Sequence, residues 1–234
     1  MALICGFGVL LFFRLFGLPG LYIYIATAII SSNIQVLKAV KFNYLPEPIA
    51  VGTITFTSTY LCTNIIAEHY GKAQAKTGVW LSFFSLFLMM IFMVLTLGWP
   101  PLDSSMAESN TLLFNGAHQA MAHLFMPLPA IFVASLIAYI VSQYNDIWIY
   151  QAIHRLTGEK WLWLRANLAT MVSALVDNTV FSLLAWIIFA PQPLELHTVI
   201  YTYILGSYVL RLLLSTLDTF FMYLARHFKP QEPV

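Results

Sequence analysis

The stretch Thr77-Gly-Val-Trp-Leu-Ser-Phe-Phe-Ser-Leu-Phe-Leu-Met-Met-Ile-Phe-Met-Val-Leu-Thr-Leu-Gly-Trp-Pro100 decides the fold, because it contains no charged residue. A helix needs roughly 20 apolar residues to cross the hydrocarbon layer of a bilayer. Inside lipid every backbone N–H and C=O must find its partner within the protein, which leaves helices or a closed barrel. The run is continuously apolar and does not alternate, so it reads as a spanning helix. Trp99-Pro100-Pro101 ends it, since proline cannot continue the hydrogen-bond ladder.

Similar runs flank it on both sides. Before it lie Gly20–Leu37, uncharged until Lys38, and Pro48–Ala67, bracketed by Glu47 and Glu68. After it come Leu128–Asn145, with Pro127 and Pro129 where a helix start tolerates them, Ala166–Ala190, stopped by Pro191 and Pro193, and Leu196–Ala225. Ala2–Phe13, continued past Arg14 to Leu18, adds an N-terminal anchor helix; it lacks the basic leader and the small-residue cleavage site of a signal peptide. Thr111–Phe125 is too short and mixed to span and is expected in the interface. The fold class is therefore all-α, a polytopic integral membrane helix bundle. Six core transmembrane helices occupy 20–225, the additional helix 1–19, and a cytoplasmic tail 226–234.

Composition supports a lipid environment. Of 234 residues 60% are hydrophobic and 9% charged, whereas a soluble domain carries about 25% charged residues to wet its surface. A net charge of +1 argues against the clustered basic face of a nucleic-acid binder. Cys5 and Cys62 lie in apolar runs and read as small buried hydrophobes. His118 and His123 do not have a zinc spacing, and HExxH, GxSxG and Walker A motifs are absent. No enzyme and no cofactor are expected, and the chain does not drive transport with ATP by itself.

Lys72 and Lys76 follow the second span, Arg155, Lys160 and Arg165 the fourth, and Arg226 and Lys229 the sixth. The loops after spans three and five have no Lys or Arg, so the positive-inside rule puts the C-terminus in the cytoplasm. Lys38 and Lys41 fall on the other side and break the pattern. Trp99, Trp161 and Trp163 stand at predicted membrane boundaries.

The functional signal lies in polar groups placed where lipid excludes them, each costly unless paired or hydrated. Asp177 is near the middle of span five, with Asn178 and Thr179 beside it, and Arg211 near the middle of span six. Asp218 follows seven residues later on nearly the same helix face. Two readings hold together: a buried ion pair that fixes two helices, and a solute site near the midplane, where transporters commonly bind. Two deep acids face one deep base, which leaves one acid for a cationic solute or a proton. Asn64 and Glu68 lie one turn apart at the end of span two; Asp146 follows span four; Asn33, Gln35 and Lys38 end span one. The blander readings are a wetted Asp146 at a helix end, a Glu68 salt bridge with His69, Lys72 or Lys76, and hydrogen-bonding glue for Asn33 and Asn64.

Taken in order, these stations resemble the queuosine precursor transporter family, also described as a vitamin uptake transporter family. The resemblance rests on Asn33 with Lys38, Asn64-Ile-Ile-Ala-Glu68-His-Tyr-Gly71 with Ala75-Lys76, and Ser142-Gln143 with Asp146-Ile-Trp-Ile-Tyr150. It continues through Trp161-Leu-Trp-Leu-Arg165 and Ser173-Ala-Leu-Val-Asp177-Asn-Thr179-Val-Phe181. The chain departs where the family often has Asp in place of Asn64 and Gln in place of Ala174. The resemblance implies uptake of 7-deazaguanine-type nucleobases across a bacterial inner membrane. Asp177 and Arg211 would form the centre, with Asn33, Asn64, Glu68 and Asp146 around the path. Homo-oligomerisation, the coupling ion and association with an ATPase module stay open, as do an ATP-driven vitamin importer's binding subunit and a structural membrane protein as rival readings.

Overall fold

The computed structural model describes residues 1–41, 48–102, 109–125, 129–158, 160–190 and 192–228. Glu47, Pro127, Leu128, Pro191 and Lys229, which marked expected span ends and the basic tail, lie outside them. The chain folds as helices α1 (Ala2–Gln35), α2 (Gly52–His69), α3 (Gly71–Leu97), α4 (Ser109–Phe125), α5 (Pro129–Thr157) and α6 (Leu162–Leu183), then α7 (Leu196–Thr198) and α8 (Ser207–Ala225). Leu184–Ile188 and Val199–Gly206 continue α6 and precede α8 as wider π-helical segments. A two-stranded antiparallel ribbon, β1 (Ala39–Val40) with β2 (Ile49–Ala50), supplies the only strands among the described residues. Among the described residues four helical stretches are long and apolar enough to cross a membrane: Ala2–Gln35, Gly71–Leu97, Leu162–Ile188 and Leu196–Ala225.

The expected boundary between the N-terminal anchor and span one is a fold-back. Gly17 has φ 58° and ψ −135°, a conformation that only glycine adopts cheaply, and Pro19 follows. Beyond it the chain returns along itself, so the Tyr24 hydroxyl donates to the Cys5 carbonyl at 3.2 Å and the Phe12 and Tyr24 rings lie 6.1 Å apart. The first arm runs beside α8, with Phe7 on Phe221 at 5.3 Å and Arg14 over the Phe228 ring at 5.9 Å.

Two other helix ends differ from the sequence reading. α3 starts at Gly71 rather than Thr77, because Gly71 (φ 86°) turns the chain at once after α2. α5 runs past Asn145 to Thr157 and stops only at Gly158 (φ 57°), a left-handed position suited to a helix C-terminus. The polar run Gln143–Asp146 therefore lies inside a helix rather than at its wetted end.

Side-chain hydrogen bonds fix the helix order. α1 and α2 run antiparallel, joined by Thr55 to Gln35 at 2.7 Å and Cys62 Sγ to the Leu21 carbonyl at 3.4 Å. α5 meets α3 through Ser82–Tyr139 (2.5 Å) and Trp80–Tyr144 (2.7 Å), and α6 through Asn145–Ser173 (3.0 Å). α6 meets α8 through Asn167–Thr219 (2.6 Å). The apolar side chains of α3, among them Phe84, Phe87, Phe92 and Leu95, are exposed on the outside of the bundle, while Asp146, Arg165, Asp177 and Arg211 are buried within it.

α2 is the centre of the bundle: 14 of its 18 residues are buried, including Thr53, Thr55, Thr57, Thr59 and Thr63. It can carry so many hydroxyls because helices rather than lipid surround it, and Thr57 and Thr63 return their hydrogen bonds to carbonyls one turn back. Its first residue is the tightest point. A Cβ on Gly52 would collide with the Ser32 carbonyl and the Val36 backbone of α1. Gly52→Ala should lower stability by about 1–3 kcal/mol, the usual penalty of overpacking, read as the thermal midpoint in detergent.

Candidate solute-binding site

Asp177 stands about 22 Å along α6 from Leu162 at the helical rise per residue. Its Oδ2 accepts from Arg211 Nη1 of α8 at 2.7 Å, and its Oδ1 accepts from the Ser142 hydroxyl of α5 at 3.3 Å. Both partners of the ion pair are buried, with side chains 7% and 10% exposed. The Arg211 guanidinium also stands over the Phe56 ring of α2 at 5.1 Å, a cation–π contact that helps to hold a charge away from water. Helices α2, α5, α6 and α8 thus converge on one charged pair. Asn178 next to it bonds the Ile204 carbonyl at 3.0 Å and Ser207 Oγ at 2.9 Å, occupying backbone that the π-helical segment leaves short of partners.

Arg211 borders two adjoining cavities, and Asp177 borders the smaller of them. The smaller, about 70 Å³, lies among Asn33, Thr53, Phe56, Ser135, Asp177 and Arg211. The larger, about 390 Å³, is walled by the β-ribbon, Phe181, Trp186, Tyr203 and Arg211, and shares Val36, Thr53, Phe181 and Arg211 with the first. Arg211 Nε and Trp186 Nε1 have no hydrogen-bond partner, so two buried donors are left over at the cavity walls. Asn33 lines the smaller cavity and returns its amide to the Ile29 carbonyl at 2.9 Å.

The other expected residues sit elsewhere. Asn64 and Asp146 are buried nearer the end that carries the basic residues, outside the walls of both cavities. Asn64 Nδ2 donates to Thr170 at 3.1 Å. Asp218 is also apart, with one oxygen unpartnered, and makes no ion pair with Arg211 among the described residues.

Glu68 sits at the basic end, but its partners are not the neighbouring lysines. Arg165 and Arg226 bind its Oε1 at 2.5 and 2.6 Å, and the Tyr150 hydroxyl donates to Oε2 at 2.6 Å. Arg165 was expected as a loop charge, yet it is fully buried. Its remaining hydrogens go to Tyr150 (3.2 Å) and to the carbonyls of Gly158 (3.0 Å) and Lys160 (3.2 Å), which pins the α5–α6 turn where Trp161 takes a left-handed φ of 63°. Tyr60 was not singled out. Gln143, one of the polar stations near the expected end of span four, bridges Thr59 at 2.8 Å and Thr63 at 3.0 Å.

A lipid-facing helix bundle with a buried ion pair beside an internal cavity, and an ionic cluster tying its opposite end, has the layout of a membrane transporter. The family described as "Putative vitamin uptake transporter" matches residues 50–225, and the chain belongs to it. It is also similar to a protein of Bacillus subtilis (strain 168) described as "Probable queuosine precursor transporter", 32% identical over 198 residues that cover 84% of this chain and 81% of the relative. No solved structure matches the chain. The family expected from the polar stations is the family found.

Proposed function

We propose that the chain imports queuosine precursors, 7-deazaguanine-type nucleobases, across a bacterial inner membrane, with its C-terminus in the cytoplasm and the Asp177–Arg211 pair at the centre of the solute site. The observation that carries this reading is the buried pair, of which Arg211 lines the 390 Å³ cavity and Asp177 the adjoining smaller one. That volume falls within the roughly 300–1,000 Å³ usual for small-molecule sites. Phe181, Trp186 and Tyr203 provide flat apolar walls for a ring. A guanine-like edge offers N–H donors for the Asp177 carboxylate and a carbonyl for Arg211 Nε, which lacks an acceptor in the structure. An aminomethyl substituent would bring a cation toward the same carboxylate. The relative's described role supports this class of solute, and the family supports uptake of a small solute.

Orientation follows from Lys72, Lys76, Arg165 and Arg226, which gather at one end of the bundle. The cavity then faces outward, and the Glu68–Arg165–Arg226 cluster closes the cytoplasmic side.

The test is queuosine content of tRNA in a bacterial strain able neither to make nor to import the bases, expressing this chain and fed each base at low concentration. Wild type should restore queuosine, and Asp177→Asn at equal expression should lose at least about 90% of it, since more than 1.4 kcal/mol of solute binding is removed. Restoration by Asp177→Asn would remove the carboxylate from the site. Restoration only with an added ATPase pair would make the chain a binding subunit.

A further inference from the structure

One helical turn from Ser142 toward the basic end, three acceptor oxygens are buried without a donor. Neither carboxylate oxygen of Asp146 has a hydrogen-bond partner, and Asn64 Oδ1 has none. Asp146 is 0% exposed. The two side chains meet at Thr170, whose hydroxyl oxygen accepts from Asn64 Nδ2 at 3.1 Å and lies beside the Asp146 carboxylate. Acceptor oxygens outnumber the donors that reach this buried acid, and a proton on Asp146 removes its charge while supplying an O–H donor.

The surroundings of Asp146 show where that cation comes from. α2 presents Tyr60 and Asn64, and α6 presents Thr170. The Tyr60 hydroxyl is itself without a partner and lies within electrostatic reach of Asp177, Arg211, Ser142 and Asp146. α3 offers Lys76, but it stands over the Tyr144 ring at 5.1 Å, two residues round α5 and on a different face. Leu184–Ile188 carries no charge. Arg165 and Glu68 are engaged with each other and with Tyr150. Along α5 itself, Ser142, Asp146 and Tyr150 repeat every fourth residue and so form one polar stripe. Its outer end touches Asp177 through Ser142, and its inner end touches Glu68 through Tyr150.

We infer that Asp146 is the coupling site of this transporter, loading one proton per solute from the cavity side and releasing it at the Glu68 end. The inference rests on the transport reading above. A proton fits better than a metal ion. α2, α5 and α6 are unbroken helix at Asn64, Asp146 and Thr170, so no unwound carbonyls are free to complete a sodium shell, as transporter sodium sites require. A proton needs a single oxygen. In the cycle a proton from outside water, relayed by Ser142 and Tyr60, forms an O–H bond on Asp146, and the solute enters. When the basic end opens, that bond breaks and the proton passes Tyr150 and Glu68 to cytoplasmic water, leaving the carboxylate. Nothing is oxidised or reduced.

The experiment uses the full chain in liposomes, wild type, Asp146→Asn and Asp146→Glu, with labelled 7-cyano- and 7-aminomethyl-7-deazaguanine as probes. With the outside one pH unit more acid, wild type should accumulate base up to ~10-fold, and a protonophore should abolish the accumulation. A pH dye trapped inside should report acidification on addition of base. Asp146→Asn should exchange base without concentrating it or moving protons, and Asp146→Glu should concentrate it. The amide brings N–H donors to the orphan acceptors, so the thermal midpoint of Asp146→Asn should not fall. Accumulation by Asp146→Asn equal to wild type, or wild-type accumulation that follows a sodium gradient, would overturn the proposal. If wild type moves neither base, the solute assignment fails, and infrared spectra of the solute-free protein decide the coupling site. A protonated-carboxyl band lost at alkaline pH and missing from Asp146→Asn supports it; the lack of such a band in wild type at every pH overturns it.

Discussion

Arg211→Met should abolish uptake and lower stability by about 3–5 kcal/mol, the usual consequence of stranding one member of a buried ion pair. Asp177 would keep only the Ser142 hydroxyl at 3.3 Å in a site where its side chain is 7% exposed. The double variant Asp177→Leu with Arg211→Met separates strut from site. Replacing both charges by apolar groups removes the desolvation penalty together with the attraction, so its stability should return to the wild-type value or exceed it. Uptake should stay absent, because no group remains to take the polar edge of the solute. Chemical unfolding in detergent and liposome uptake measured on the same preparations give both numbers. A double variant that transports would reduce the pair to a helix clamp.

The second large effect lies at the opposite end. Glu68→Ala should destabilise the bundle by about 3–5 kcal/mol, because it leaves the fully buried Arg165 without a counter-charge. Arg226→Ala should cost no more than about 1 kcal/mol, since that side chain is 31% exposed and its pairing is screened by water. The ordering of the two losses is the diagnostic. Equal losses would mean that Glu68 is tied to the partly exposed arginine as firmly as to the buried one.

Helices were legible because lipid demands long apolar runs, and α3 states that demand without a single charge from Thr77 to Pro100. The Asp177–Arg211 pair was legible for the complementary reason: a charge deep in such a run must be compensated. Partners across long sequence separations were not. Glu68 sits beside His69 and near Lys72 and Lys76, yet it pairs with Arg165 and Arg226, 97 and 158 residues away. Charge proximity along the chain says little once helices bring distant ends together. Asp146 looked like a wetted helix end because polar residues cluster at Gln143–Asp146; in the bundle Gln143 faces α2, Tyr144 α3 and Asn145 α6, and the helix has no reason to stop before Gly158. The fold-back at Gly17 was foreshadowed only by the neighbouring Pro19, since a left-handed glycine has no distinctive flanking pattern.

The threonine-rich α2 has a consequence for how the protein is made. It is not among the helices apolar enough to cross a membrane by composition, although it lies at the centre of the bundle. A nascent α2 therefore gains little by partitioning into lipid alone, and its hydroxyls, Asn64 and Glu68 would oppose release from the insertion machinery. The strongly apolar α1 and α3 flank it in sequence and pack against it in space. Biogenesis must hold α2 until those neighbours can enclose it, so a threonine-rich helix enters the bilayer as the passenger of the two most lipid-like ones.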